Sequence, residues 1–231
     1  MKTTKINENG LQLTRFGFVN CYLVREADGL TLIDTMLPGS TDWVFTVANE
    51  LGAPIRRILL THAHGDHVGS VDAMMDQLVG AELAASERSL PLLQQPPDLT
   101  LRPGEPRGTI KGSTPGIASK VTHLITEGEL YGSLRAISTP GHIPGHLSFL
   151  DERDGTLYAG DAVIGMGGLI VAGWATGLAA IFNNFTWDKP LAMASAKKLL
   201  DYPIKRFATG HGKVREGGVD ALAAVVKRVK A

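Results

Sequence analysis

Residues Thr61 to His67 read THAHGDH, which places three histidines and an aspartate within six positions. Imidazoles and a carboxylate this close would each need a buried polar partner if their role were packing. Binding a divalent metal accounts for all four together. His62, His64, Asp66 and His67 stand at i, i+2, i+4 and i+5, a spacing that fits neither one face of a strand nor one face of a helix. The pattern predicts a loop behind the strand-like run Arg56–Leu60, turned at Gly65 and leading into a helix at Val68.

Three later segments offer further donors. Thr139-Pro140-Gly141-His142-Ile143-Pro144-Gly145-His146 lies between two strand-like runs, Tyr158-Ala159-Gly160-Asp161 ends a run in a carboxylate, and Thr209-Gly210-His211-Gly212 ends one in a histidine. Each sets an imidazole or carboxylate just past a predicted strand, as the first cluster does. Singly such a residue is an ordinary turn; beside THAHGDH the set reads as the rest of a metal shell. His123 has no companion motif and reads as a surface or packed residue.

The elements that must position these side chains follow from periodicity. Leu11–Phe16, Val19–Arg25 and Leu30–Asp34 read as strands, with Asp28-Gly29 as a hairpin turn. Thr41–Leu51 carries Trp43, Val44, Val47 and Leu51 on one helical stripe and stops at Gly52. After the metal loop, Val71, Met74, Met75 and Leu78 predict a single helix. Residues 91–115 hold six prolines and several glycines, an irregular excursion that serves as a lid or a mobile loop. Strands resume at Val121–Ile125, Leu134–Thr139, His146–Asp151 and Thr156–Gly160, with Asp154-Gly155 as a second hairpin turn. A helix over Asp188–Leu200, a strand Arg206–Thr209 and a helix from Val219 complete the chain. Two strand-rich halves without a linker suit an α/β architecture of two sheets packed face to face with helices outside.

The chain has 231 residues, with 23 basic and 23 acidic side chains. Charges so balanced give no field to steer it toward nucleic acid or an acidic membrane. The lone cysteine, Cys21, excludes an internal disulfide and alternates with apolar neighbours as a core residue. The polar N-terminus lacks an apolar signal core, so a cytoplasmic location is expected. Residues 162–187 are uncharged and could suggest a membrane span, but their glycines favour a loop or short helix over a pocket. Within them Met166, Trp174, Phe182 and Phe185 are the expected pocket lining, with ordinary core as the alternative.

Over nearly the whole length, these motifs resemble those of the metallo-β-lactamase superfamily, in particular its glyoxalase II and lactonase-like branch. The family's HxHxDH motif matches His62, His64, Asp66 and His67; its later ligands match His142, Asp161 and His211. The resemblance implies a four-layer αβ/βα sandwich in one domain, residues 1–231, with metals at one edge of the sheets. It implies His62, His64 and His142 on one metal, Asp66, His67 and His211 on a second, and Asp161 bridging them. Asp34 resembles the early aspartate that supports the metal loop, and His146 a histidine outside the ligand set.

Nitrogen and oxygen donors suit two zinc ions, with iron or manganese as alternatives. The implied chemistry is a metal-bridging hydroxide attacking the carbonyl of an ester, lactone or thioester, with Asp66 passing a proton to the leaving atom. The expected partner is a small-molecule substrate with an apolar acyl group, not nucleic acid or membrane; the oligomeric state is left open. Zinc β-lactamases of the commonest type carry cysteine where Asp161 stands, so lactam hydrolysis is expected at most as a side activity. Homoserine-lactone lactonases carry tyrosine where this chain has Ile164, and glyoxalase II enzymes carry a C-terminal helical region for which little chain remains after His211. The alternatives are iron-dependent oxidation resembling the persulfide dioxygenases, and a metal-binding scaffold without catalysis.

Overall fold

The computed structural model describes residues 1–229. Strands β1 (Lys2–Lys5), β2 (Gly10–Arg15), β3 (Val19–Glu26), β4 (Gly29–Ile33), β5 (Ile55–Leu59), β6 (Glu82–Ser86) and β7 (His123–Ile125) lie side by side in that order. In the inner strands the side chains alternate between two buried faces. Cys21 and Leu23 face one apolar cluster, with Val44 and Val47 of helix α1 (Thr41–Glu50), while Tyr22 and Val24 face another. A sheet buried on both sides needs a second layer beneath it.

The metal loop forms α2 (Gly65–Val68), followed by α3 (Val71–Met75), and α4 (Leu90–Leu93) comes later. The second sheet then builds from β8 (Leu130–Tyr131), β9 (Leu134–Ser138), β10 (Leu147–Asp151) and β11 (Thr156–Gly160). A small ribbon of β12 (Val163–Ile164) and β13 (Ile170–Val171) follows, with 3-10 turns over Gly177–Phe185. Helix α5 (Lys189–Lys198), strands β14 (Arg206–Thr209) and β15 (Arg215–Glu216), and helix α6 (Gly218–Val229) end the described chain. Asp188 caps α5 by accepting from the Leu191 amide at 2.7 Å, and Lys197 and Lys198 sit favourably in its last turn. The second sheet runs β15-β14-β11-β10-β9-β8.

Three apolar clusters make four layers. One lies between the first sheet and α1 and α3. A second, with Phe149, Tyr158, Tyr22 and Leu59, lies between the sheets. The third packs Leu157 and Phe207 against α5 and α6. This is the expected α/β sandwich. Topology also fixes an edge. β4 and β5 are parallel, and β9 and β11 share a direction because each is antiparallel to β10; β14 is parallel to β11. The C-terminal ends that carry the donors therefore gather along matching edges.

Several boundaries correct the sequence reading. The helix expected from Val68 through Leu78 is broken and shorter: α2 ends at Val68, α3 carries Val71, Met74 and Met75, and Leu78 lies in the turn beyond it. Tertiary contacts interrupt it, since the Ser70 hydroxyl donates to Leu37 O at 2.8 Å and accepts from the Ser40 amide at 3.1 Å. The strand expected from Val121 begins at His123, and the first hairpin turns at Ala27-Asp28, because Glu26 pairs with Gly29. Among the described residues no helix is long and apolar enough to cross a membrane. Residues 163–185 form the ribbon and the 3-10 turns instead.

Candidate metal centre

The loops after β5, β9, β11 and β14 bring all seven candidate donors together. The ring nitrogens His62 Nε2 and His142 Nε2 lie 3.1 and 2.9 Å from His64 Nδ1. Ligands at zinc–nitrogen bond lengths in a tetrahedral array lie about 3.3 Å from one another, so this triad is close to a ready half-shell. Asp66 Oδ2 is 3.2 Å from His211 Nε2 and 4.0 Å from His67 Nε2, which forms the other half. Asp161 stands between them. Its Oδ2 is 3.4 Å from His142 Nε2 and 3.1 Å from His211 Nε2, and its Oδ1 is 3.6 Å from His67 Nε2.

The outward side of the cluster decides whether a metal fits. Asp34, buried and in the left-handed region at φ 59°, accepts from the Thr61 amide at 2.8 Å and from the Thr61 hydroxyl at 2.7 Å. Aspartate is among the few non-glycine residues enriched in that conformation. With its proton given to Asp34, Thr61 Oγ1 must accept from His62 Nδ1–H at 2.9 Å, leaving Nε2 as a lone pair. His67 Nδ1–H donates to Asp34 at 2.7 Å, so Nε2 is the ring nitrogen left facing inward for a metal. His64 Nε2–H donates to the Lys111 carbonyl at 2.7 Å, which frees Nδ1. Three rings are thus locked from behind with their remaining nitrogens converging, the arrangement that metal-binding histidines require.

Among the described residues, buried His67 Nε2 and Asp161 Oδ1 have no hydrogen-bond partner, a lack that a cation would fill. The donor set fits a pair of divalent ions. His142 and His211 have no partner at Nδ1; the His211 ring is instead flanked by the rings of Phe182 and Phe18, with centroids at 5.4 and 6.0 Å.

His146 lies outside the donor set and has a supporting job. Its Nε2 accepts from the Asp161 amide at 3.0 Å, so Nδ1 carries the proton and donates to Thr139 Oγ1 at 2.8 Å. Thr139 passes the chain to Ser148 Oγ at 2.8 Å, which donates to Ala159 O at 3.1 Å. Burial pushes the His146 ring down to about 3, in keeping with a neutral imidazole holding the Asp161 backbone. Position 210 must be small for a similar reason: a Cβ there would meet Asp161 Oδ1 at 2.2 Å.

The roles of Thr61, Thr139, Ser148 and the Lys111 carbonyl were absent from the sequence reading. Thr61 and Thr139 do flag themselves by opening the two histidine motifs. The Lys111 carbonyl has no side-chain signature. It shows that part of the 91–115 excursion is tied to the site, where Ser113 O also accepts from the Gly65 amide at 2.9 Å. His123 lies far off, half-buried against Glu129.

The two halves differ electrostatically. Burial holds His62, His64 and His142 below the ordinary histidine value. Burial would lower His67 and His211 too, but Asp161, assisted by Asp66 and, for His67, by Asp34, outweighs it. His67 is raised well above its ordinary value and His211 up to about 9. Burial would raise Asp66 and Asp161, but the neighbouring His67 and His211 hold both carboxyls below the usual range. A metal entering this half must displace protons that the three-histidine half does not carry at neutral pH. Affinity at Asp66–His67–His211 should therefore climb with pH up to about 9, while affinity at His62–His64–His142 stays nearly flat. Dialysis across a pH series followed by elemental analysis should show one metal leaving first as pH falls. Loss of both together would contradict this asymmetry.

The four expected pocket residues are not all in one place. Met166 and Trp174 line a cavity beside the cluster. Phe182 lies tilted against the His211 ring, and Phe185, 44% exposed, lies at the end of the same 3-10 turns.

The sequence profile of the metallo-beta-lactamase superfamily matches residues 14–211. The uncharacterized protein YobT of Bacillus subtilis is 46% identical over 216 residues, covering 92% of this chain and 91% of that protein. The thioesterase pkgB of Emericella nidulans is 34% identical over 151 residues, covering 64% of this chain and 36% of that protein. Among solved structures, the B3 metallo-beta-lactamase BLEG-1 superposes with a TM-score of 0.71 at 23% identity, covering 96% of this chain and all of that one, a likeness of fold. With the donors gathered at the sheet edges, the chain belongs to the metallo-beta-lactamase superfamily.

Proposed function

We propose that the protein is a binuclear metal-dependent hydrolase of carboxylic esters, lactones or thioesters with apolar acyl groups. The observation that carries this reading is the pair of complete half-shells sharing Asp161, with three rings locked in the ligating tautomer. His62, His64 and His142 would hold one ion, Asp66, His67 and His211 the other, and Asp161 both. Two zinc ions there would supply a nucleophile at neutral pH and Lewis acidity toward a carbonyl; iron or manganese would suit the same donors less well than zinc.

The chain's own contribution centres on Asp66. Six of the seven donors are buried, but the Asp66 side chain is 32% exposed, so it meets the incoming substrate. Held ionised, it can take the proton released as the nucleophile forms and return it to the leaving oxygen or sulfur. The thioesterase relative supports the acyl class. A completed second half-shell, with His67 and His211 in place, weighs against a single-metal oxidation.

The test is a panel of aryl esters, thioesters, lactones, phosphodiesters and β-lactams on zinc-loaded protein. Acyl substrates should be turned over, the activity lost to a chelator and restored by zinc. Each methylene buried should raise kcat/KM about fourfold, from roughly 0.8 kcal/mol per group. Turnover of phosphodiesters alone, or oxygen uptake without hydrolysis, would sink the reading.

A further inference from the structure

The uncharged segment after Asp161 does more than approach the metal cluster. With the last turns of α6 it lines an open-mouthed cavity of about 790 Å³, within the range that holds a drug-sized ligand. Met166, Gly168, Trp174, Ala179, Val225 and Arg228 are among its lining residues, and none of the seven donors is. Met166 is the shared wall: a Cβ on Gly212, next to His211, would meet its Cγ at 2.9 Å.

The chemistry of the walls is one-sided. Among the described residues, Arg228 is the only ionisable one lining the cavity. It is exposed on α6, its Nε donates to the Ala224 carbonyl at 3.3 Å, and no carboxylate pairs with it among the described residues. Most of the guanidinium donors remain for a ligand. Apolar walls ending in one cation fit a molecule with an apolar body and one carboxylate, which a planar guanidinium receives well.

We propose that this cavity is a ligand site for an amphiphilic carboxylate, separate from the metal cluster and adjoining it through Met166. The apolar body lies against Trp174 and Val225, and the carboxylate is held by Arg228 at the rim.

Calorimetric titration of the full-length protein with octanoate tests this, with octylammonium as the opposite-charge control. Octanoate should bind saturably and octylammonium about tenfold more weakly, the effect of exchanging an exposed ion pair for a repulsion. Chelating the metals should leave octanoate affinity unchanged. The Arg228→Glu variant, altered only on an exposed helical face, should reverse the order of the two ligands. At Gly168 an added Cβ meets nothing within 4 Å, so Gly168→Phe should fill the cavity without a clash and abolish binding of both. Equal affinity for the two ligands in the parent would overturn the proposal. So would octanoate binding lost with the metals, which would place the carboxylate on the cluster, or binding that Gly168→Phe leaves intact.

Discussion

Asp66→Asn is expected to fold like the parent and to lose at least about a hundredfold in turnover, the lower end of what a positioned proton carrier contributes. The fold should survive because Asp66 lies in the short helix of the metal loop, partly exposed, and packs into none of the three apolar clusters. Turnover should fall for two reasons at once. The amide removes a negative charge facing His67 and His211, and it can no longer accept and release a proton. The measurement is kcat on the best acyl substrate of the panel, with metal content determined on the same sample. Activity within about tenfold of the parent, roughly 1.4 kcal/mol in barrier, would mean that Asp66 does neither job.

Asp34→Ala should be the other large effect, although Asp34 need not touch a metal or substrate. Its carboxylate takes three hydrogen bonds, from the amide and hydroxyl of Thr61 and from His67 Nδ1. Without it the Thr61 hydroxyl no longer has its proton committed, so the His62 ring loses its lock as well as His67. Metal affinity should drop about 10- to 100-fold. Stability should fall by about 3 kcal/mol, since buried donors are left unpaired and alanine is poorly suited to φ 59°. The Asp34→Asn variant would keep the backbone conformation while losing the acceptor for His67, so it should retain more stability than alanine and still bind metal weakly. Elemental analysis after dialysis and a denaturant midpoint check both. An Asp34→Ala protein matching the parent in the two would remove Asp34 from this role.

The seven candidate donors were legible as a set: THAHGDH is too dense in imidazole and carboxylate for packing to explain, and beside it the single His142, Asp161 and His211 past later strands gained meaning. The strands that lead into them were legible too, since β5, β9, β11 and β14 each match, to within a residue at either end, a run expected as a strand. What stayed hidden was of a different kind. β1, KTTK, is a mostly exposed edge strand with no apolar alternation to read. β6 is rich in alanine, which favours a strand weakly, and is held by parallel pairing to β5 and β7. β8, β12, β13 and β15 have two residues each, too short for any period. Of the four residues expected along a substrate pocket, Met166 and Trp174, picked out by the uncharged composition of 162–187, line a cavity. That their partners would come from α6, some fifty residues later in the chain, is a tertiary fact no local pattern carries.

The hydrogen bond from His64 to the Lys111 carbonyl has a consequence for how variation at this site would look. The acceptor is main chain, so any side chain at position 111 can provide it, and substitutions there should read as neutral in a mutational scan. The constraint falls on chain length and on the neighbour. Removing one residue from the 91–115 excursion would pull the carbonyl off the ring. A side chain at Gly112, whose φ is +87°, would put a Cβ 2.5 Å from His64 Nε2. A reader of substitution tolerance alone would pass over residue 111, whereas a scan of single-residue deletions should mark this stretch as sharply as the histidine motif itself.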